Sequence, residues 1–165
     1  MDIVNHLLLK HVAKKNKPII LSTAMATIDE IDSAIELVYS FGNKKIVLMQ
    51  CTGIYPTQHE DVNLNVISFF KNRYKIPIGF SDHTIGYEAP MNSVTLGAEL
   101  IEKHFTLDKT FEGPDHYMCA EPDDFAMLLK KIKISLTLGG NSTKRVLPDE
   151  KKDPKPATQT LLAAH

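Results

Sequence analysis

The stretch that decides the fold is residues 78–116, IGFSDHTIGYEAPMNSVTLGAELIEKHFTLDKTFEGPDH. Residues 77–80 and 99–105 contain short apolar runs of the kind that form buried strands. Between them, residues 87–96 are enough for about one helix, and a glycine follows. A strand, a helix and a parallel strand return the chain to the side from which it started. The two strand ends are therefore expected at one edge of a sheet.

Each of these predicted strands delivers a histidine where apolar chain gives way to a polar loop. The histidines are His83 and His104, with Asp82, Glu102 and Asp115 as the carboxylates nearby. We expect the two imidazoles to converge at one rim, as a plausible site for a borderline divalent cation. The alternative from the residues alone is that each histidine only makes hydrogen bonds at a strand end, because the spacing by itself does not specify a metal.

The composition is that of a mixed and weakly charged chain. It has 165 residues, a net charge of −1 and 43% hydrophobic residues, which suits one domain with a real core. Acidic and basic residues are interspersed, which argues against nucleic acid, and no apolar run approaches the ~18 residues of a membrane span. Two cysteines and an N-terminus unlike a signal peptide lead us to expect a cytoplasmic protein.

Strand-like runs and helical periods alternate over residues 2–136. Strands are predicted at residues 19–21, 45–51, 77–80 and 99–105, and helices at residues 2–16, 27–41, 63–74, 87–96 and 122–136. The order α-βα-βα-βα-βα indicates an α/β fold with a parallel sheet covered by helices. An open doubly wound sheet and part of a TIM barrel both fit. Because a complete barrel takes about 250 residues, the length favours only part of one.

Local signals mark the ends of several helices. Asp2 is expected to cap the first helix, Thr27 and Glu30 form a capping-box pattern, and Pro122 suits the first turn of the last helix. The last helix carries a predicted apolar stripe of Phe125, Leu128, Leu129, Ile132 and Leu136. We predict a domain over residues 1–140 and a linker or disordered tail over residues 141–165, where the composition turns polar and rich in proline and lysine.

Small polar residues follow all four predicted strands, where parallel α/β folds bind their ligands. These residues are Ser22-Thr23, Cys51-Thr52-Gly53, Ser81-Asp82-His83 and Lys103-His104-Phe105. Hydroxyls and backbone N–H groups at helix starts form an anion cradle, so we expect a phosphate or carboxylate beside a divalent metal. Ser22 is equally compatible with an ordinary turn residue. No dinucleotide fingerprint or phosphate-loop motif is present, which disfavours NAD and ATP.

Five motifs in order resemble the sialic acid synthase family, which includes legionaminic and pseudaminic acid synthases. They are ILSTAMAT, CTGIYPTQHEDVNL, IGFSDHT, LGAELIEKHFTLD and GPDH, within a resemblance that spans residues 2–140. The resemblance implies a TIM barrel that condenses phosphoenolpyruvate with an N-acylated mannosamine-type sugar to a nine-carbon sialic-type acid. It also implies a divalent metal, usually Mn²⁺, and a homodimer with a small antifreeze-like domain.

Transferred position by position, the resemblance implies a role for seven side chains. They are His83 and His104 as metal ligands, Glu102 as catalytic residue, Ser22 and Ser81 for phosphoenolpyruvate, and Tyr55 and Asp115 for the sugar. Two positions depart from the family pattern. Gly53 stands where Asn or Ser is common, so one polar contact to phosphoenolpyruvate is absent, and Ala24 replaces a frequent glycine.

The resemblance covers only the C-terminal half of the family's barrel. We therefore expect a truncated piece with little or no synthase activity alone, which forms a homodimer or pairs with a partner half-barrel through its open sheet edges. The alternative is a non-catalytic metal-binding or interaction module that kept the half-barrel. A third possibility is another metal-dependent aldolase. The sequence does not determine which sugar is used.

Overall fold

The computed structural model describes residues 2–151. Five α-helices and four β-strands alternate in these residues. They are α1 (His6–Ala13), β1 (Ile19–Ser22), α2 (Ile28–Ser40), β2 (Ile46–Cys51), α3 (Asn65–Tyr74), β3 (Ile78–Asp82), α4 (Glu88–Thr95), β4 (Leu100–Lys103) and α5 (Pro122–Gly139). One-turn 3-10 helices at His59–Asp61 and His116–Met118 were not predicted. None of the described helices is both long and apolar enough to cross a membrane.

The four strands form one parallel sheet in the order β1-β2-β3-β4. Each strand pairs with its neighbour in sequence, and the intervening helices return the chain to the same side. The predicted half-barrel with helices alternating between parallel strands is therefore confirmed. This connection brings the C-terminal ends of all four strands to one rim.

Side chains alternate between the two faces of the sheet because successive residues of a strand point in opposite directions. The face towards the helices is mostly apolar, and its residues Ile19, Leu21, Leu48, Ile78 and Phe80 are buried. They pack in one core with helix residues that include Ile31, Val38, Ile67 and Phe70. The opposite face is more open, since Ile20 remains 56% exposed and Ser22 is exposed beside it. This open face is the side that a closed barrel would enclose.

The helix ends agree with the sequence at two of three positions. Thr27 and Glu30 form the full capping box, and Pro122 is the first residue of α5. The prediction that Asp2 caps the first helix is wrong. Asn5 is the N-cap, because its side chain accepts the Leu8 amide, and the backbone carbonyl of Asp2 accepts the Asn5 amide instead.

Further expectations were wrong in extent. The third strand runs to Asp82 instead of ending at Phe80, the fourth strand ends at Lys103 instead of residue 105, and the first helix spans His6–Ala13 instead of residues 2–16. Within the apolar stripe of α5 only Leu128 is buried. The predicted domain boundary at residue 140 stays a prediction. Residues 141–151 contain no helix or strand, and the rest of the predicted tail, residues 152–165, lies outside the described residues.

Gly79 lies on β3 and provides a test of how closely this strand packs against β2 and β4. A Cβ atom at this position would lie 2.2 Å from Sδ of Met49 and 2.9 Å from the carbonyl oxygen of Leu100. We expect Gly79→Ala to lower the free energy of unfolding by about 1–3 kcal/mol, because the strands would have to separate. Gly139→Ala is the control, since nothing lies within 4 Å of its Cβ. Urea unfolding measures both, and equal stability of the two variants would contradict this packing.

Candidate functional site

The candidate site lies where β3 and β4 end on the open face of the sheet. Ser81 pairs with Glu102 in the strand register, and the Ser81 hydroxyl donates to Oε1 of Glu102 at 2.7 Å. Two residues further along each strand, on the same face, come His83 and His104. Their ring centroids are 5.2 Å apart and nearly perpendicular. The structure thus brings together four of the residues that the sequence singled out.

His83 is held by the loop that follows β2. Its Nδ1 lies 2.7 Å from the carbonyl oxygen of Thr52, and its own backbone carbonyl accepts the Thr57 amide at 3.0 Å. A carbonyl can only accept, so Nδ1 carries the proton and Nε2 presents a lone pair. Within residues 2–151, Nε2 has no hydrogen-bond partner. Burial of the ring, together with the nearby His104, lowers the pKa of His83 and favours the neutral imidazole that a metal requires.

His104 and Tyr55 complete the aromatic lining of the site. The Tyr55 ring stacks on His83 with 4.0 Å between centroids and meets His104 edge-on at 5.5 Å. The backbone carbonyl of His104 accepts the Ala120 amide at 2.8 Å, while its ring has no hydrogen bond within the described part of the chain. Both imidazoles therefore have a ring nitrogen to offer to a ligand.

The separation of the two histidine rings is compatible with a shared divalent cation. Two imidazoles that bind one ion, each at a metal–nitrogen distance of about 2.1 Å, have ring centroids roughly 5 Å apart. The observed 5.2 Å between His83 and His104 meets this condition. No group of three or more His, Cys, Asp or Glu side chains within residues 2–151 is arranged to hold a metal. The remaining ligands would therefore be water or substrate oxygen, which leaves the open positions that a catalytic metal needs.

Two residues expected at the rim lie on the other face. Asp82 and Lys103 point towards the helices, where their side chains are 0% and 5% exposed and form an ion pair of 2.6 Å. Asp82 therefore is not one of the carboxylates available to a cation beside His83. Strand alternation explains the correction, because a residue next to an inward-facing histidine must face outward.

The other predicted site residues are distributed around this centre. Burial raises the pKa of the Tyr55 hydroxyl, and the carboxylates of Asp115 and Glu102 act in the same direction. Ser22 lies two strands away from Ser81, a spacing of roughly 10 Å. Its hydroxyl accepts only a long bond of 3.4 Å from the Ala24 amide. The structure does not bring it to the histidines.

Comparison with known proteins identifies the family. The family model described as the NeuB family matches residues 1–144. The chain belongs to the NeuB family. This membership confirms the resemblance to sialic acid synthases that the five motifs indicated.

Two relatives of the chain are named as synthases. The chain is 40% identical over 164 residues to the N,N'-diacetyllegionaminic acid synthase of Campylobacter jejuni, covering 98% of this chain and 49% of that protein. It is 38% identical over 150 residues to the N-acetylneuraminate-9-phosphate synthase of Homo sapiens, covering 90% of this chain and 42% of that protein. The chain thus spans about half the length of these curated relatives.

A solved NeuB-family structure has the same fold. The crystal structure of N-acetylneuraminic acid (sialic acid) synthetase from Leptospira borgpetersenii, in complex with citrate, superposes with a TM-score of 0.84 and 34% identity. The match covers 92% of this chain and 53% of that chain. The half-barrel is therefore a segment of a fold that is already known in this family.

The depressed pKa of His83 makes a prediction about stability at low pH. In the unfolded chain a histidine takes up a proton near pH 6.5, whereas the folded chain resists protonation of His83 until a lower pH. The unfolded state then binds more protons, so the free energy of unfolding falls as the pH drops below about 6.5. In metal-free buffer with chelator, His83→Asn should reduce this loss, because an amide replaces the titrating ring.

Urea unfolding at several pH values measures this effect. Above pH ~7.5 His83 is neutral in both the folded and the unfolded chain. The difference in free energy of unfolding between wild type and variant should therefore stay constant there. An identical pH dependence of wild type and variant below pH ~6.5 would contradict the assignment.

Proposed function

We propose that this chain contributes the metal-binding half of a synthase that condenses phosphoenolpyruvate with an N-acylated mannosamine-type sugar to a sialic-type nine-carbon acid. The observation that supports it most directly is the pair of His83 and His104, convergent at 5.2 Å with ring nitrogens available. Membership of the NeuB family supplies the reaction class, since its named relatives are legionaminic and N-acetylneuraminate-9-phosphate synthases.

In this proposal His83 and His104 hold a divalent cation, with Mn²⁺ as the ion expected. A cation held by these two residues would supply Lewis-acid chemistry towards the carbonyl oxygen of the sugar aldehyde. Thr52 keeps His83 in the tautomer that presents Nε2, because its carbonyl accepts from Nδ1. The protein's contribution is therefore a pair of imidazole nitrogens at one rim of the sheet, with the tautomer of His83 fixed by Thr52.

Glu102 and Ser81 are assigned to the reacting groups. Glu102 is exposed on the open face and accepts a hydrogen bond from Ser81, so its carboxylate is positioned to orient a water or the sugar aldehyde. Ser81 is assigned to phosphoenolpyruvate, and its hydroxyl would have to rotate away from Glu102 to donate to a phosphate or carboxylate. Ser22, on β1, is assigned to the same substrate.

Tyr55 and Asp115 are assigned to the sugar. Tyr55 is half exposed and offers its ring face and hydroxyl at the edge of the histidine pair. Asp115 is exposed, and its backbone carbonyl accepts from the Met118 amide and the Cys119 thiol, which fixes the loop that carries it. An aromatic face with a carboxylate nearby suits a hydroxyl-rich ligand, because the ring contacts C–H groups while the carboxylate accepts from hydroxyls.

Two features of the wider setting belong to the same proposal. Cys51 and Cys119 are both free and buried, which agrees with a reducing cytoplasm.

Within the described residues β1 and β4 are the edges of the sheet, each with unpaired backbone groups. We propose that they are covered by a second copy of the chain or by a partner half-barrel, and sedimentation as a clean monomer would contradict this.

Metal binding gives the first test of the proposed function. We expect the wild-type chain to bind Mn²⁺ in a calorimetric titration, and His83→Ala or His104→Ala to weaken binding by about tenfold or more, since each removes one of two protein ligands. His6→Ala on α1 is the control and should bind as wild type, because this exposed histidine lies outside the site. A wild-type chain that does not bind Mn²⁺ would contradict the proposal.

Turnover gives the second test. With Mn²⁺, phosphoenolpyruvate and N-acetylmannosamine, we expect little phosphate release from the 165-residue chain alone, because its open face offers few fixed cations to a trianionic substrate. Mixing with the N-terminal half of a NeuB-family barrel should raise the rate. Robust release by the chain alone would contradict the expected inactivity. Metal binding without turnover under any complementation would favour the alternative, a non-catalytic metal-binding module, and a screen of sugars would identify a different aldolase.

A further inference from the structure

The Asp82–Lys103 ion pair has no part in the proposed chemistry, yet it is the most enclosed charged pair among the described residues. Lys103 Nζ donates to Oδ2 of Asp82 at 2.6 Å and to the backbone carbonyl of Thr84 at 2.7 Å. The other carboxylate oxygen of Asp82 accepts the Thr84 amide at 2.9 Å. The two side chains are 0% and 5% exposed. One ammonium group thus makes two bonds, to the last residue of β3 and to the turn after it, at a buried position.

These bonds surround His83 in the chain. Asp82 precedes it and Thr84 follows it, and both are bonded to the same ammonium. Lys103 itself immediately precedes His104, so the ammonium is carried by the backbone that presents the second imidazole. The pair therefore connects the backbone on both sides of one histidine to the strand that ends in the other.

The pair lies on the face of the sheet that packs against the helices. Because strand side chains alternate, Asp82 and Lys103 face the helices while the histidines face the open side, so the pair does not touch a ligand held there. On the open face, the Ser81–Glu102 hydrogen bond links the same two strands one residue earlier. The two strands are therefore tied on both faces directly before the histidines emerge.

A buried ion pair is an unreliable source of stability, because removing two charges from water offsets much of their attraction. Its contribution is to specify one strand register, because the Lys103 ammonium has both of its partners, Asp82 and Thr84, only when they lie opposite it. A slip or splay of the strands would leave a buried charge unpaired, which is strongly unfavourable. An apolar pair of the same volume would tolerate such small displacements.

We propose that the Asp82–Lys103 pair is a positioning device that fixes the separation of His83 and His104 for a divalent cation. The inference rests on the proposed function, and it assigns these residues to the support of the metal ligands instead of to the ligands themselves. Outer partners of metal ligands typically change metal affinity by about 10- to 100-fold when they are removed.

The test compares two uncharged replacements of ion pairs in the full 165-residue chain. Asp82→Asn with Lys103→Met keeps the side-chain sizes and an acceptor for the Thr84 amide, but it removes both charges. Lys71→Met with Glu99→Gln is the matched control, since it removes an exposed ion pair of 3.1 Å between α3 and the residue before β4. Calorimetric Mn²⁺ affinity and the visible absorption spectrum of bound Co²⁺ are measured for both, together with urea unfolding.

We expect the buried-pair variant to bind Mn²⁺ about 10- to 100-fold more weakly and to shift the Co²⁺ spectrum, because its imidazoles are no longer held at one separation. The control should match the wild type in both readouts. If the double variant does not fold, Lys103→Arg, which keeps both charges but changes the geometry of the bonds to Asp82 and Thr84, carries the same two measurements.

Two outcomes overturn the proposal and are distinguishable. A wild-type chain that binds neither Mn²⁺ nor Co²⁺ overturns the proposed function and the positioning role with it. A wild-type chain that binds, beside a buried-pair variant with unchanged affinity and Co²⁺ spectrum, overturns the positioning role alone, whatever its stability. A loss of stability without a change at the metal would show that the pair only supports the fold.

Discussion

The structure depends on the parallel pairing of β3 with β4 in a single register. That register sets Ser81 opposite Glu102 and Asp82 opposite Lys103, so each face of the strand pair carries one polar link. A shift by one residue would turn the inward-facing side chains outward, because the side-chain period of a strand is two. The helical crossover through α4 brings the strands side by side, but the side-chain links fix which residues face one another.

Most of the architecture follows from local patterns in the sequence. Apolar runs and helical periods alternate without interruption, and the capping box at Thr27 and the proline at Pro122 mark two helix starts correctly. The errors occur where two local choices compete. Asp2 and Asn5 are both residue types that cap helices well, and Asn5 is the N-cap in the structure. The apolar pattern predicts that β3 ends at Phe80, because Ser81 and Asp82 are polar. Both residues nevertheless pair with β4, where Glu102 and Lys103 lie opposite them.

The site was predictable as a set of strand ends but not as a set of contacts. The convergence of His83 and His104 follows from a strand–helix–strand unit, which needs no tertiary information. The outward position of Asp82 follows from alternation, once His83 is assumed to face inward. The bond from His83 to Thr52 does not follow, because it joins residues 31 apart across a loop whose path is set by tertiary packing. The tie from Lys103 to the Thr84 carbonyl is equally non-local, since it requires the exact turn after β3.

Solvent exposure of the open face determines how strong the electrostatic interactions of its residues are. With Ile20 half exposed and Glu102 in contact with solvent, charges on this face interact through water and are screened by salt. A covering surface, whether a second copy or another segment, would exclude that water and strengthen each interaction several-fold without moving a residue. The Asp82–Lys103 pair is already buried, so the positioning role proposed for it does not depend on such a cover. We therefore propose that the half-barrel can bind a metal alone, whereas stabilisation of charge that develops on a substrate requires the site to be enclosed.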